Sequence, residues 1–408
     1  MSFLWVLLLF ACGGVGQKDG RHQKTNLEQR AISGDPEVQI GAARTSIYLP
    51  LLKNKNVGVV ANQTSLIFKN DPSDTLSATH LIDSLLSLGV QIEKVFAPEH
   101  GFRGRADAGE AVADGRDKKS GLPVISLYGS NKKPTAEQLE GLDIVVFDIQ
   151  DVGVRFYTYI ATLQLVMEAC AEENIPVLVL DRPNPNLHYV DGPTMEKEHI
   201  GFLGLTPIPL VYGMTIGEYA MMVNGENWLE AGIKADLKVI PLAHYNRQTR
   251  YELPVRPSPN LPNARAVNLY PSLGLFEGTN INAGRGSEFQ FQRFGAPFLN
   301  KTYFDFEYTP EANFGAKNPK HKGEVCYGMD LSDEGELDRI HLKWLTEAYR
   351  NCNDKSQFFN TSNFTRHAGT EKLQQQLENN FTEDQIRKSW QKDLERFKKI
   401  RAKYLIYH

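Results

Sequence analysis

From residue 55 onward, short apolar runs alternate with segments of helical periodicity, and this alternation restricts the possible folds more than any other feature. The runs are apolar on both faces, as strands are when helices cover both sides of a sheet. Strands of this kind predict an α/β fold with a doubly wound parallel sheet. The predicted strands are NVGVVANQT (56–64), KVFAPEHG (94–101), PVISLYG (123–129), DIVVFDIQDVG (143–153) and PVLVLDRPNP (176–185).

The second half of the chain has a different character. With 408 residues, the chain is too long for a single compact core, so two domains are expected. After about residue 235 the alternation stops, and the stretch 253–298 is dense in turn residues. Two helices are predicted near the C-terminus, over GELDRIHLKWLTEAYRN (335–351) and EDQIRKSWQKDLERFKKIRAKYLIY (383–407), the second with a core-facing apolar stripe.

The first twelve residues, MSFLWVLLLFAC, are the only continuous apolar stretch. They are far fewer than the roughly 20 residues that a membrane-spanning helix needs. They are typical of the apolar core of an export signal, although the usual positively charged start is missing. Because Leu9–Cys12 resembles a bacterial lipobox, we expect an export signal and tether over 1–35, lipidation of Cys12, and a periplasmic or outer-membrane-anchored location. The alternative is an uncleaved N-terminus.

Composition and motifs argue against several classes of ligand. The net charge is −4 and no long basic run occurs, so nothing indicates a nucleic-acid partner. No GxGxxG follows the first strand and no GxxxxGK(S/T) occurs, which disfavours NAD, FAD and ATP. HExxH and clustered Cys/His ligands are missing as well, which disfavours zinc. We therefore expect neither a metal nor a cofactor.

Polar residues follow all five predicted strands. For any single strand, the simplest explanation is that the chain is leaving the core. In doubly wound sheets, however, ligands bind in the crevice beyond the carboxyl ends of the strands. Five polar strand ends together therefore favour a site along this edge: Asn62-Gln63-Thr64, Glu99-His100, Tyr128, Asp148-Gln150-Asp151 and Asp181-Arg182-Asn184.

Glu99 is the first candidate for chemistry, because it follows Pro98 at the end of an apolar strand. A carboxyl group that is partly withdrawn from water at such a position can act as a general acid near neutral pH. His100 can orient a ligand, share a proton or cap the turn. On these local grounds alone, a polar loop cap is the simpler interpretation of the pair.

Other charged residues can complete such a site. One or two arginines can hold an acidic substrate, because the guanidinium group matches a carboxylate bidentately, and the others would form internal ion pairs. Asp151 and Glu277 can partner Glu99, since glycoside hydrolysis usually uses two carboxylates. A substrate with a 2-acetamido group can instead supply its own nucleophile. The arginines near the predicted edge are Arg103, Arg155, Arg182 and Arg285.

Seven motifs occur in a fixed order, and together they point to one family. They are PEHGFRG (98–104), AGE (108–110), LPVISLYG (122–129), FDIQDVGVRFYTYI (147–160), LDRPNP (180–185), PSPNLP (257–262) and FEGTNINAGRG (276–286). This set resembles the exo-acting β-N-acetylmuramidase (NamZ) family of peptidoglycan glycosidases, formerly a domain of unknown function. The resemblance covers essentially residues 40–408.

The resemblance implies a Rossmann-like N-terminal domain over 36–235 without a dinucleotide fingerprint. It implies a smaller α+β C-terminal domain over 236–408, with the active site in the cleft between the two. Members of the family remove N-acetylmuramic acid from the non-reducing ends of peptidoglycan fragments, and no metal or nucleotide is expected. The partner is thus a peptidoglycan-derived sugar, and a membrane is involved only through the lipid anchor.

The resemblance also implies roles for individual residues. Glu99 matches the catalytic glutamate of the PEHG motif and is expected to be the general acid/base. The full set of predicted catalytic residues is Glu99, Asp151 and Glu277. The predicted substrate-binding residues are His100, Arg103, Arg155, Tyr157, Asn260, Asn280 and Arg285, with one arginine holding the lactyl carboxylate. The alternatives are a non-catalytic peptidoglycan-binding lipoprotein and a muramyl-peptide amidase or esterase.

Overall fold

A computed structural model describes residues 37–68, 77–99, 101–103 and 115–408 of the chain. The predicted export signal with Cys12, and His100, lie outside these residues. Gln39–His408 form one compact unit. Within the described ranges, no helix combines the length and the apolar character needed to cross a membrane.

A seven-stranded sheet forms the centre of the molecule, in the order β11-β8-β7-β1-β4-β6-β5. Six neighbouring strands are parallel, and only the short edge strand β5 is antiparallel. The strands of the chain are β1 (Val57–Ala61), β2 (Leu66–Ile67), β3 (Thr79–His80), β4 (Ile92–Ala97), β5 (Gly115–Arg116), β6 (Pro123–Ser126), β7 (Ile144–Asp148), β8 (Val177–Leu180), β9 (Asp191–Thr194), β10 (Pro209–Val211), β11 (Leu237–Ile240), β12 (Arg293–Ala296), β13 (Phe306–Tyr308) and β14 (Cys326–Asp330).

The chain builds this sheet outward from β1 in two directions. It proceeds from β1 to β4 and β6, then returns to the other side of β1 and continues through β7, β8 and β11. The strand order therefore reverses between β1 and β7, which is the topological switch point of a doubly wound sheet. The predicted fold class is confirmed. The sixth parallel strand, β11, was not predicted and begins just beyond the expected domain boundary at residue 235.

Burial explains why these segments form strands. All five residues of β1 and of β7 are buried, because helices cover both faces of the sheet at its centre. The helices of the chain are α1 (Thr45–Leu52), α2 (Leu81–Ser87), α3 (Ala136–Leu139), α4 (Tyr159–Glu172), α5 (Ile216–Gly225), α6 (Ala264–Leu273), α7 (Lys343–Arg350), α8 (Thr361–Ala368), α9 (Lys372–Glu378) and α10 (Glu383–Arg401).

The second half of the chain adds a three-stranded antiparallel sheet, in the order β12-β14-β13, and the helices α7 to α10. The helix predicted over 335–351 begins only at Lys343, so the first eight residues of that prediction are wrong. Side chains from other elements hold their backbone instead: Ile340 N donates to Asp191 Oδ2, and His341 N donates to Ser272 Oγ. These long-range hydrogen bonds replace the intrahelical ones.

The predicted apolar stripe of the last helix is confirmed, although α10 ends at Arg401 rather than at residue 407. Its buried residues Ile386, Trp390, Leu394 and Phe397 recur at spacings of three and four, and the helix packs against β9 and β10. The chain then returns to the main sheet, where the Tyr407 hydroxyl donates to Asp181 Oδ2 at 2.6 Å. The C-terminus therefore closes over the first half of the chain.

Candidate active site

Glu99 lies at the carboxyl edge of the main sheet, two residues after β4 ends, and is partly exposed. Thr158, the residue before α4, donates from Oγ1 to Glu99 Oε2 at 3.3 Å. Tyr128, which follows β6, also hydrogen-bonds to Glu99, and burial together with this carboxylate raises the pKa of its phenol. Two hydroxyl groups, one shortly after β6 and one at the start of α4, thus hold the carboxyl group in place.

An aromatic cluster forms the floor beside Glu99. Tyr157 and Tyr159 meet edge to face with ring centroids 4.8 Å apart, and Tyr270 from α6 lies 6.0 Å from Tyr157. The Tyr157 hydroxyl donates to the Pro257 carbonyl at 2.7 Å, which ties the long loop of the second half to the sheet edge. Burial raises the pKa of Tyr270, and the charges of Glu277 and Glu99 raise it further. Both carboxylates therefore act on this one phenol.

Glu277 and Arg285 form the opposite side of the candidate site. Arg285 Nη1 donates to Glu277 Oε2 at 3.1 Å, and both side chains are partly exposed, at 25% and 23% respectively. Burial acts to raise the pKa of Glu277, but the positive charges of Arg285 and Lys320 outweigh it and hold this pKa below its usual value. Glu277 is therefore ionised at neutral pH.

Asn260 joins Arg285 at the carbonyl oxygen of Gly315. Asn260 Nδ2 donates to this oxygen at 2.6 Å, and Arg285 Nη2 donates to it at 3.3 Å. Gly315 has a φ of 104°, a conformation that side-chain-bearing residues rarely adopt. Asn260 Oδ1 and Arg285 Nε are buried and have no hydrogen-bond partner among the described residues. These two predicted residues are brought together, on the same side of the site as Glu277.

Asp151 is buried below the candidate site and is not exposed in it. Its side chain is buried, and Oδ2 accepts hydrogen bonds from Gly153 N at 2.7 Å and from the Tyr212 hydroxyl. Burial raises its pKa to about 6, although the hydrogen bonds from Tyr212 and Gly153 oppose the shift. The contacts of Asp151 favour a supporting role below the aromatic cluster.

Three predicted substrate-binding residues, Arg155, Arg103 and Asn280, are hydrogen-bonded to other parts of the protein. Arg155 has no exposed surface, and its guanidinium donates to four backbone carbonyls, those of Pro193, Ile208, His367 and Ala368. A substrate-binding role does not fit this position, because no face of the group is open. Arg103 makes a bidentate pair with Asp117, at 2.8 and 2.6 Å.

Asn280 is exposed, and its side-chain amide donates to the Gln357 carbonyl at 2.6 Å. The side chain of Asn280 is therefore already hydrogen-bonded to Gln357. Of the three arginines predicted to bind substrate, the structure places Arg285 beside the candidate site.

Sequence reasoning missed two residues that act on Glu277, namely Lys320 and His367. Lys320 Nζ lies within 2.7 to 3.3 Å of four backbone carbonyls of the segment 276–281, which holds the Glu277 turn in shape. His367 belongs to α8, which packs on the same turn. Neither residue lies in one of the seven motifs, and each is more than 40 positions from Glu277 in the sequence. No local pattern therefore indicates them.

Comparison with known proteins decides the family. The model described as exo-β-N-acetylmuramidase NamZ, N-terminal, matches residues 57–265, and the corresponding C-terminal model matches residues 268–407. The chain belongs to the NamZ family. The predicted resemblance and the predicted class of glycoside hydrolase are both confirmed.

The relatives of this NamZ-family chain agree over nearly its whole length. It is 39% identical to the peptidoglycan β-N-acetylmuramidase NamZ of Bacillus subtilis strain 168 over 392 residues, which cover 91% of this chain and 92% of that protein. Two crystal structures of DUF1343 family proteins from Bacteroides fragilis also match. One has a TM-score of 0.82 at 41% identity, covering 91% of this chain and 99% of the other. The second has a TM-score of 0.73 at 27% identity, covering 91% and 100%.

Proposed function

We propose that this protein is an exo-acting glycosidase that releases N-acetylmuramic acid from the non-reducing ends of peptidoglycan fragments. Family membership over both halves of the chain supports this function, as does the activity of the Bacillus subtilis relative. The observation that carries the proposal is the setting of Glu99. It lies at the carboxyl edge of the sheet and is held by Thr158 and Tyr128, and its charge, like that of Glu277, raises the pKa of Tyr270.

Glu99 acts as the general acid/base of the reaction. In its protonated form it donates a proton to the glycosidic oxygen, so that the bond to the sugar breaks and the leaving chain departs as an alcohol. The resulting carboxylate then takes a proton from the attacking water. The hydroxyl groups of Thr158 and Tyr128 orient the carboxyl group throughout, since both donate to it.

The 2-acetamido group of the substrate supplies the nucleophile in this proposal. Asp151 is buried and bonded to Tyr212 and Gly153, so its carboxylate does not face a sugar. Glu277 is ion-paired with Arg285, and the charge of Lys320 stabilises the anion further, which makes it a weak nucleophile. We therefore assign Glu277 to substrate binding, where an ionised carboxylate accepts hydrogen bonds from sugar hydroxyls.

Arg285 holds the lactyl carboxylate of muramic acid. Its guanidinium is partly exposed, and each Nη group has a second N–H besides the one that donates to Glu277 or to the Gly315 carbonyl. Glu277 and the Gly315 carbonyl, to which Asn260 also donates, fix the group from two sides, so it is pre-oriented for a bidentate contact with a carboxylate. This contact distinguishes muramic acid from glucosamine, which lacks the lactyl group.

The chromogenic β-N-acetylmuramide and its N-acetylglucosamine analogue test the proposal. The wild-type protein is expected to release the chromophore from the first and not from the second. Glu99→Gln keeps the size of the side chain but removes the acid, so activity should fall about 10²- to 10⁴-fold. Glu93→Gln, an exposed change on the same strand, is the matched control and should retain full activity.

Equal turnover of the two substrates, or full activity of Glu99→Gln, would refute the assignment. Binding of muropeptide fragments without release of sugar would instead identify a non-catalytic peptidoglycan-binding protein. Release of peptide rather than sugar, detected by mass spectrometry, would identify an amidase or esterase.

We also infer that the chain is exported and anchored by lipid at Cys12 in the periplasm or outer membrane of a bacterium. The inference rests on the apolar run and the lipobox-like Leu9–Cys12. Wild-type protein expressed in a bacterial host should incorporate labelled palmitate and sediment with membranes, whereas Cys12→Ser should do neither. Identical fractionation of the two proteins would contradict the inference.

A further inference from the structure

His367 on α8 is a candidate substrate-binding residue that the proposed mechanism does not use. Its Nδ1 lies 2.9 Å from the Asn363 carbonyl oxygen. A carbonyl can only accept a hydrogen bond, so Nδ1 carries the proton. In the neutral ring, Nε2 is then an acceptor. Among the residues that the structure describes, none donates to Nε2, and the ring is only partly buried.

The ring has a fixed position next to Glu277. Asn363 Nδ2 donates to the Glu277 carbonyl at 2.9 Å, which anchors α8 to the turn. The two backbones are in close contact, since a Cβ added to Gly278 would lie 2.4 Å from the Cα of Phe364. On its other side, the imidazole lies against Phe156, with ring centroids 5.4 Å apart. The acceptor is therefore held in place before any ligand arrives.

Burial keeps the ring neutral, because it is the largest effect on the pKa of His367 and lowers it. The charges of Lys320 and Arg155 also lower this pKa, whereas the hydrogen bond to the Asn363 carbonyl and the charge of Glu277 oppose the shift. Neither cation is available to Nε2, because Lys320 Nζ contacts four backbone carbonyls and the guanidinium of Arg155 donates to four others. A neutral acceptor beside an ionised carboxylate requires a ligand that donates hydrogen bonds.

N-acetylmuramic acid offers few such donors. Its 3-oxygen carries the lactyl group and its 2-position carries the acetamido group, so the hydroxyl donors are those at positions 4 and 6. The 4-hydroxyl is free only at the non-reducing end, because inside a chain this oxygen is the glycosidic link to the next sugar. An acceptor for the 4-hydroxyl therefore recognises the end of the chain.

We propose that His367 Nε2 accepts a hydrogen bond from the free 4-hydroxyl of the terminal sugar and thereby contributes to exo-acting specificity. The proposal rests on the proposed function, because it concerns the same site. Inside the polymer, the 4-oxygen has no proton to donate to this nitrogen. The pairing of two acceptors then disfavours binding of an internal sugar.

Deoxy analogues of the chromogenic β-N-acetylmuramide test this contact. Wild-type protein should lose about 10- to 100-fold in kcat/KM when the 4-hydroxyl is replaced by hydrogen, since the acceptor is left unpaired. His367→Leu should lose activity on the parent substrate and show no further loss on the 4-deoxy analogue. His367→Gln keeps an acceptor in the side chain and should recover part of the discrimination.

Arg366→Gln is the matched control, because Arg366 is exposed on the same helix and, among the described residues, its side chain hydrogen-bonds to Ser362 alone. It should behave as wild type on both substrates. The thermal midpoint of each variant shows whether α8 still packs. A loss on the 4-deoxy analogue that is the same in His367→Leu as in wild type would overturn the proposal. If His367→Leu abolished the loss caused by removing the 6-hydroxyl but not the loss caused by removing the 4-hydroxyl, the assignment to the chain end would be wrong.

The two proposals fail in different ways. If wild-type protein releases no sugar from the parent substrate, the proposed function is wrong. If it releases sugar and the 4-deoxy analogue is turned over equally well, the proposed function stands and the role of His367 does not.

Discussion

Replacing Asp151 by asparagine should make the protein progressively more stable, relative to wild type, as the pH rises from 4 to 6. The carboxyl group of Asp151 is buried, and burial raises its pKa from 3.8 to about 6 in the folded chain. In the unfolded chain the same group ionises near its ordinary pKa. Between these two values the folded state binds the extra proton, so the stability that this group contributes falls as the pH rises.

The magnitude follows from the size of the shift. A difference of about two pKa units corresponds to about 3 kcal/mol of unfolding free energy. Asparagine does not titrate, and its Oδ1 can accept the same hydrogen bonds from Gly153 and Tyr212. Its amide nitrogen would replace Asp151 Oδ1, which has no partner among the described residues, and this adds a cost that does not depend on pH. The quantity to measure is therefore the pH-dependent part of the difference in unfolding free energy between the two proteins.

Urea unfolding of both proteins at half-unit steps from pH 4.5 to 7.5 provides the measurement. The difference in unfolding free energy should grow up to about pH 6 and stay nearly constant above it. Its change over this range is about 2 kcal/mol, because part of the full effect of about 3 kcal/mol lies below pH 4.5. Asp338→Asn, whose parent side chain is 77% exposed, should show no such dependence. A difference that is constant across the whole pH range would refute the reasoning. The Asp151→Asn protein should also retain release of sugar, unlike Glu99→Gln.

Other substitutions address the remaining charged groups. Arg155→Met should destabilise the fold by about 3 kcal/mol in the same urea assay, because four buried carbonyls lose their donor; an unchanged midpoint would contradict this. Arg285→Lys should raise KM for the muramide about 10-fold with little change in kcat, since lysine cannot form the bidentate contact, and an unchanged KM would exclude Arg285 as the carboxylate ligand. Lys320→Met should raise the pKa of Glu277 and move the acidic limb of the pH–activity profile upward, whereas Lys322→Met on the exposed surface should leave the profile unchanged.

The first half of the fold was predictable because its signal is local. An apolar run buried on both faces can be recognised in the sequence, and all five predicted strands form. β11 was missed because its burial is incomplete: only Ile240 is buried, so the segment lacks the continuous apolar pattern of the central strands. The early start predicted for α7 failed for another reason, since Asp191 and Ser272 engage that backbone from distant parts of the chain.

Some residues of the candidate site could likewise be predicted from the sequence, and others could not. Glu99 could be singled out in the sequence because it follows an apolar strand and lies in a long motif, and its catalytic role stays a prediction. The structure brings Asn260 and Arg285 together at the Gly315 carbonyl. Arg155 lies in an equally long motif, yet its guanidinium is enclosed by backbone carbonyls of both halves of the chain. A motif records that a residue type is required, but it does not distinguish contact with a substrate from support of the core.

By itself, the sequence determined the parallel sheet and the family, and it predicted the sheet edge at which we propose that the substrate binds. These depend on the order of apolar runs and on the residues that follow each strand, which are properties of neighbouring positions. Only the tertiary structure decided which charged side chains remain accessible to a ligand and which are already paired within the protein. Arg103 pairs with Asp117, Glu277 is kept ionised by Arg285 and Lys320, and His367 is fixed beside it. Burial and pairing between distant segments set these states, and they arise only when the chain has folded.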